Sequence, residues 1–223
     1  MSFSNEWDSL YLAGKQHTKW PWSDLVGLVY RHVPTPLSGC RVLELGCGTG
    51  ANVPFFLDSG ADYNAIEGSE AAVAVVHERY PILRNTVTVG DFTQSLPSSG
   101  PFDLIVDRAS LTHSCTNAIQ HTLELVWANL NPGGYYVGID WFSDRHSDRK
   151  YGVAVDDENT FTQFSDGQFE GCGKVHFSNE FHLRSLFSCF EILWLAEKTV
   201  RCVEPKQDHF FAFFDIVTRK PRD

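Results

Sequence analysis

Several acidic residues, one histidine and a run of glycines are spaced along this chain as a nucleoside-binding site with a proton acceptor beside it would need them. Gly46, Gly48 and Gly50 follow directly on the apolar run Val42-Leu43-Glu44-Leu45, with Cys47 and Thr49 between them. A turn this poor in side chains lets a ligand come against the backbone and directs amide N–H groups at it. Cys47 meets the need for a small side chain there. Glu67 stands 21 residues after Gly46, at the end of the run 62–67, where a carboxylate can accept both hydroxyls of an adenosine ribose. Gly68 and Ser69 follow, and Ser69 can cap a helix starting at Glu70. Asp91 and Phe92 end a third apolar run, 86–90. They offer an acceptor for the exocyclic amine of adenine and a wall for its ring. A fourth run, 102–107, ends in Asp107 and leads through Arg108 to His113. An imidazole titrates near neutral pH, so His113 is a candidate general base; as a second reading it caps or packs under the next helix.

Two cofactor classes use such a turn. Gly46, Gly48 and Ala51 satisfy the G-x-G-x-x-G/A form of NAD sites. Glu44, Gly46, Gly48 and Gly50 satisfy the form used for S-adenosylmethionine (SAM), in which an acidic residue stands two positions before G-x-G-x-G. On these residues, and on Asn131-Pro132-Gly133-Gly134 before an apolar run, the chain resembles class I SAM-dependent methyltransferases from about residue 40 to the C-terminus. More narrowly, the segments Trp7–Tyr11 with Trp20-Pro21, Asp107–His113 and Phe177–Phe181 resemble small bacterial methyltransferases of surface-polysaccharide and other small-molecule pathways. The resemblance implies SAM as cofactor, held by Trp7, Tyr11, Glu44, Gly46, Cys47, Gly48, Glu67, Gly68, Ser69, Asp91, Phe92, Asp107 and Arg108. Asp107 and Arg108 would touch the methionine part or hold a strand end. The resemblance also implies a methyl transfer to oxygen or nitrogen of a small molecule, with a sugar of a glycan precursor as the first guess. An NAD-linked oxidoreductase and a non-catalytic scaffold of the same fold stand as alternatives.

The elements that must position these residues alternate. Strands are expected at 41–46, 62–67, 86–90, 102–107 and 135–141, and helices at 23–33, 51–58, 70–79 and 116–130. Ile119, Leu123, Val126, Trp127 and Leu130 recur at helical spacing and mark a core face. Repeated alternation implies an α/β fold with a mostly parallel sheet and helices on both faces. A helix at 181–187 and strands at 190–195 and 209–218 complete a seven-stranded, Rossmann-like methyltransferase fold with a C-terminal antiparallel hairpin. That hairpin favours SAM over NAD. Residues 142–177 show no periodicity and read as a long substrate-side insertion, a kind of segment that is usually functional. Tyr151, Asn159, Phe161, Phe164 and His176 are its candidate acceptor-lining residues. Residues 1–40 read as an arm and helix, in which Trp7, Tyr11, Trp20 and Trp22 surround Lys15 and His17 and could close over the cofactor as a lid.

The chain has 223 residues and a net charge of −10, which fits one domain and argues against a nucleic-acid binder, since phosphate contacts need a basic face. No signal peptide and no apolar run of membrane-spanning length is visible, so a cytoplasmic protein without a membrane partner is expected. The six cysteines form no C-x-x-C pair and are expected to be reduced, with Cys172 exposed on a loop. No metal-binding spacing is present.

Overall fold

The computed structural model describes residues 5–14, 17–97 and 99–222; Lys15 lies outside them. Strands β1 (Arg41–Leu45), β2 (Asp62–Glu67), β3 (Val87–Val89), β4 (Phe102–Arg108) and β5 (Leu130–Phe142) run parallel in the order β3-β2-β1-β4-β5. Val42, Leu43 and Leu45 are fully buried, as strands covered on both faces require. After these, β6 to β8 form a separate small sheet. β9 (Glu191–Arg201) and β10 (Phe210–Arg219) return to the main one. β10 lies antiparallel between β5 and β9, which completes seven strands. The hairpin expected at the C-terminus is present and longer than its apolar runs alone suggest.

Among the described residues six α-helices flank the sheet: α1 (Asn5–Leu12), α2 (Ser23–His32), α3 (Val53–Asp58), α4 (Glu70–Arg79), α5 (Thr116–Asn129) and α6 (Glu180–Leu186). Leu25 and Val29 of α2, Phe56 of α3 and Val76 of α4 pack one face. Ile119, Leu123 and Val126 of α5 pack the other, with Leu183 of α6. The i, i+4, i+7 spacing on α5 therefore marks its buried stripe. Ser69 caps α4 as expected, its hydroxyl accepting from Ala72 N–H at 3.1 Å.

Residues 142–177 depart from the expectation of a structureless insertion. A 3₁₀ turn (Ser147–Tyr151) leads into β6 (Val153–Val155), β7 (Asp157–Thr162) and β8 (Val175–His176), an antiparallel sheet in the order β6-β7-β8. Phe142, Phe164, Phe169, Cys172, Val175 and Phe177 form a satellite core under it. Cys172 is buried rather than exposed. All six cysteines are free thiols, and no described helix is long and apolar enough to cross a membrane.

Candidate active site

The C-terminal ends of β1, β2, β3 and β4 open on a cavity of about 350 Å³ lined by residues from all four strand tips, from α1 and from the insertion. Gly46, Gly48 and Gly50 all adopt left-handed backbone, with φ of 67°, 52° and 82°, which only glycine takes at low cost. A Cβ at Gly46 would overlap Ser110, and one at Gly48 would stand 2.9 Å from the Tyr11 hydroxyl. The amides of the three glycines are not free, contrary to the first expectation. Gly46 N–H donates to Ile66 O at 2.8 Å, Gly48 N–H to Glu67 Oε2 at 2.8 Å, and Gly50 N–H to Cys47 O at 3.0 Å. The glycines are needed for conformation and space, and their own amides are not offered to a pyrophosphate. That chemistry suits SAM, which has no phosphate, better than NAD.

Glu67 is buried, lines the cavity, and accepts from Gly48 N–H and from Ser69 N–H at 3.0 Å. A carboxylate has about four acceptor positions, so those left over remain for ribose hydroxyls. Burial raises its pKa. Asp91 and Phe92 line the cavity at the end of β3, with Asp91 Oδ1 accepting from Thr93 N–H at 3.0 Å. Cys47 lines the wall as a small buried group whose thiol pKa is raised by burial. Glu44 reaches the wall, but its oxygens are taken by Asn52 Nδ2 at 2.8 Å and the Tyr63 hydroxyl at 2.5 Å. It braces the turn. Gly68 and Ser69 do not line the cavity; Ser69 serves α4 and the arm instead.

The arm is stitched onto this half at two places. Asp8 Oδ1 accepts from the Ser69 hydroxyl at 2.6 Å and from Ala71 N–H at 3.2 Å, so the carboxylate of α1 sits on the N-terminus of α4, where the helix dipole favours it. Further along, Thr18 N–H donates to Thr49 Oγ1, and Trp22 N–H donates to Asn52 Oδ1 at 3.1 Å. Trp7 and Tyr11 thereby become cavity walls. Burial pushes the Tyr11 phenol up, so it stays a hydrogen-bond donor.

At the tip of β4 the two expected methionine contacts separate. Asp107 is fully buried and does not line the cavity. It accepts from the amides of Ser110 (3.0 Å) and Leu111 (3.1 Å), from Trp141 Nε1 (2.9 Å) and from the Ser110 and Tyr136 hydroxyls. Its work is to hold the strand end. Arg108 does line the cavity, stacked 3.5 Å above the Trp22 ring and paired with Asp140 at 2.8 Å. Ala109 (φ 53°) and Asp140 (φ 57°) are left-handed non-glycine residues, and both stand in the cavity wall. Such strain concentrates at functional sites.

His113 also lines the cavity. Its Nδ1 is 2.9 Å from Lys174 O. A carbonyl can only accept, so the proton sits on Nδ1 and the Nε2 lone pair is left for the cavity. The Trp7 ring meets the imidazole edge-on at 4.7 Å. Burial lowers its pKa to about 4, away from the near-neutral range expected of a general base. None of Tyr151, Asn159, Phe161, Phe164 and His176 lines the cavity; the insertion contributes Gln168, Phe169 and Cys172 instead. Phe164 lies in the satellite core. His176 is buried between Thr160 Oγ1 (3.2 Å) and His182 Nε2 (3.0 Å). The density of phenylalanines in a polar stretch was the available signal for a second small core.

The seven-stranded sheet with its antiparallel hairpin is the fold of SAM-dependent methyltransferases, and comparison with known proteins bears on it further. The family profile described as a methyltransferase domain matches residues 42–134. A magnesium-protoporphyrin O-methyltransferase from Rhodobacter capsulatus is 37% identical over 84 residues, which are 36% of this chain and 37% of that protein. The matched segment thus spans little more than a third of that relative. A SAM-dependent methyltransferase from Methanosarcina mazei shares the fold with a TM-score of 0.70, at 19% identity over 88% of this chain and 98% of that one. The cyclase SpnF shares it too, with a TM-score of 0.64, at 20% identity over 98% and 95% of the two chains. Residues 42–134 thus match a methyltransferase domain, within the fold of SAM-dependent methyltransferases of known structure.

Proposed function

We propose that the protein transfers a methyl group from SAM to an oxygen or nitrogen nucleophile of a small-molecule acceptor. The observation that carries this reading is a single cavity with two unlike ends. Glu67 and the Asp91-Phe92 pair stand at the nucleoside end. His113 Nε2 stands at the other, beneath the Trp7 lid. When bound, SAM supplies an electrophilic methyl group on a sulfonium. The protein's share is to position and desolvate the nucleophile. Trp7 and Tyr11 exclude water from the cavity, and Glu67 and the glycine turn hold the nucleoside. His113 accepts a hydrogen bond from the acceptor's O–H or N–H through Nε2 and so orients its lone pair. With a pKa of about 4 it stays neutral over the physiological range, and it orients the nucleophile rather than acting as a strong base. The protein is read as a cytosolic enzyme without a nucleic-acid or membrane partner; the charge of −10 supports the absence of nucleic acid.

The test is transfer of labelled methyl from SAM to a panel of sugar nucleotides, phenols and amines. His113→Ala should lower turnover about 10²-fold, at the low end for a positioned proton-transfer group, and His113→Gln should recover most of it. Turnover of the wild type should stay flat from pH 8 to about pH 5. A fall through pH 6 to 7 that His113→Gln abolishes would make the histidine a base after all. Labelled SAM bound but never consumed with any acceptor would favour the scaffold reading.

A further inference from the structure

From the acceptor end of the cavity we infer the class of acceptor: a compact aromatic compound, a phenol or nitrogen heteroaromatic of about one ring, rather than a sugar or a tetrapyrrole. The inference rests on the methyl-transfer reading above. The wall opposite the nucleoside end is a connected set of rings. Trp7 meets His113 at 4.7 Å and His113 meets Phe142 at 5.9 Å. Phe142 in turn meets Phe169 at 4.7 Å and Phe213 at 5.9 Å. All five line the cavity. These spacings are those at which aromatic pairs attract, so a planar ring added to the set finds edges and faces on several sides.

Polar groups are set into this wall singly. Arg108 Nη2 and Lys198 Nζ each hold one oxygen of Asp140, at 2.8 Å and 2.9 Å, and the Ser110 hydroxyl donates within the protein. Among the described residues that line the cavity, His113, Ser114, Gln168, Tyr11 and Arg108 carry the groups open to a ligand, Arg108 Nε being buried without a hydrogen-bond partner. A hexose brings four or five hydroxyls, and each one set against the rings without a partner costs about 1–3 kcal/mol. A ring with one nucleophilic group and one further polar substituent places most of its surface on the ring wall and only two groups among these partners. Size points the same way, because the whole cavity, nucleoside end included, is about 350 Å³. That is the low end for small-molecule sites and far short of room for a cofactor and a tetrapyrrole together.

The orientation of Gln168 follows from hydrogen-bond chemistry. His146 Nδ1 accepts from Asp148 N–H at 3.1 Å, so its proton is on Nε2, which lies 2.8 Å from the Gln168 amide. That N–H needs an acceptor, so the amide oxygen faces His146 and its NH₂ is left for the cavity. Gln168 N–H is itself fixed by Asp148 Oδ2 at 3.0 Å. The acceptor's second polar substituent is therefore a hydrogen-bond acceptor such as a carbonyl, an ether or a ring nitrogen. In the transfer, the acceptor oxygen or nitrogen forms the new bond to the methyl carbon. The carbon–sulfur bond breaks, with its electron pair leaving on sulfur, and the acceptor's proton passes to water.

The experiment is calorimetry on the full chain saturated with S-adenosylhomocysteine. The titrants are one-ring phenols and N-heteroaromatics with and without an acceptor substituent, hexoses and sugar nucleotides, and a free-base porphyrin. A one-ring compound should bind at least tenfold more tightly than any sugar or the porphyrin. Phe169→Leu should weaken that ring about fivefold and leave the S-adenosylhomocysteine affinity within twofold. Gln168→Glu, which keeps an oxygen for His146 and removes the NH₂, should weaken only the rings that carry the acceptor substituent, by about fivefold, with the thermal melt checked against wild type. Tighter binding of a sugar or the porphyrin, binding of none of the titrants, or ring binding indifferent to both substitutions would overturn the acceptor class while leaving the cofactor site standing. Failure of S-adenosylhomocysteine itself to bind would instead remove the methyl-transfer reading, and this inference with it.

Discussion

The two ends of the cavity are built on different principles. At the nucleoside end, short loops leave the tips of parallel strands, and buried carboxylates close on neighbouring backbone: Glu67 on Gly48 and Ser69, Asp107 on Ser110 and Leu111. At the acceptor end, α1 brings Trp7 and the connection between β7 and β8 brings Gln168 and Phe169 against Phe142 of β5 and Phe213 of β10. This wall is made of rings and of neutral imidazoles. The first end is positioned by the fold as a whole, and the second by a few local contacts that can be altered without unmaking it.

Gly46→Val should produce the largest effect and break the first end outright. A branched side chain would be forced into left-handed backbone at φ 67° and against Ser110. Left-handed backbone costs roughly 1–2 kcal/mol and overpacking roughly 1–3 kcal/mol more. Thermal melts should show a severely destabilised protein with no measurable S-adenosylhomocysteine binding. Binding within threefold of wild type would show that the turn has slack the structure does not reveal.

Acid should separate the two ends, because their titratable groups respond with opposite sign. His113 and His146 are lowered to about 4 and His176 to about 3, each chiefly by burial. Their contribution to stability is full above the unfolded value of about 6.5 and is lost as pH falls toward 4. For His113 alone the loss is on the order of 3 kcal/mol. Glu44 and Glu67 are raised by burial. The folded state therefore holds their protons more tightly than the unfolded chain does, and acidification favours folding at those sites. Hydrogen exchange, corrected for intrinsic rates, should show residues 143–178 losing protection between pH 7 and about pH 5 while β1 and β2 keep theirs. Uniform loss across both would deny the distinction.

A smaller effect is expected at the latch. Asp8→Ala removes the carboxylate from the N-terminus of α4, a change worth about 1 kcal/mol for a capping contact. It should speed proteolysis within residues 5–14 several-fold and weaken S-adenosylhomocysteine slightly, since Trp7 and Tyr11 would no longer be held as walls. Equal cleavage rates in variant and wild type, with and without the ligand, would leave the arm as packing rather than a lid.

The strand-tip side of the cavity was more legible in the sequence than the ring wall opposite, for physical reasons. Parallel strands write themselves as continuous apolar runs, and polar residues stand at their ends, so Gly46, Glu67 and Asp91 could be placed in one cavity wall by counting. What each backbone amide does could not be counted, because the partners of Gly46 and Gly48 lie on β2. Asp107 looked like the other strand-tip carboxylates, yet Trp141 and Tyr136, more than 28 residues downstream, claim it. β6, β7 and β8 have three, six and two residues, too few for alternation to show. Gln168 reads as a solvated loop residue until His146 and Asp148, some 20 residues upstream, are seen to hold it.

The central claim is that a glycine turn whose three glycine amides are already bonded, beside a buried Glu67, takes the nucleoside of SAM and not a dinucleotide. Calorimetric titration of the protein with S-adenosylhomocysteine and, separately, with NADH tests it most directly. The account predicts a micromolar dissociation constant for S-adenosylhomocysteine, on the order of −8 kcal/mol, and no detectable heat from NADH. Micromolar binding of NADH with none of S-adenosylhomocysteine would contradict it.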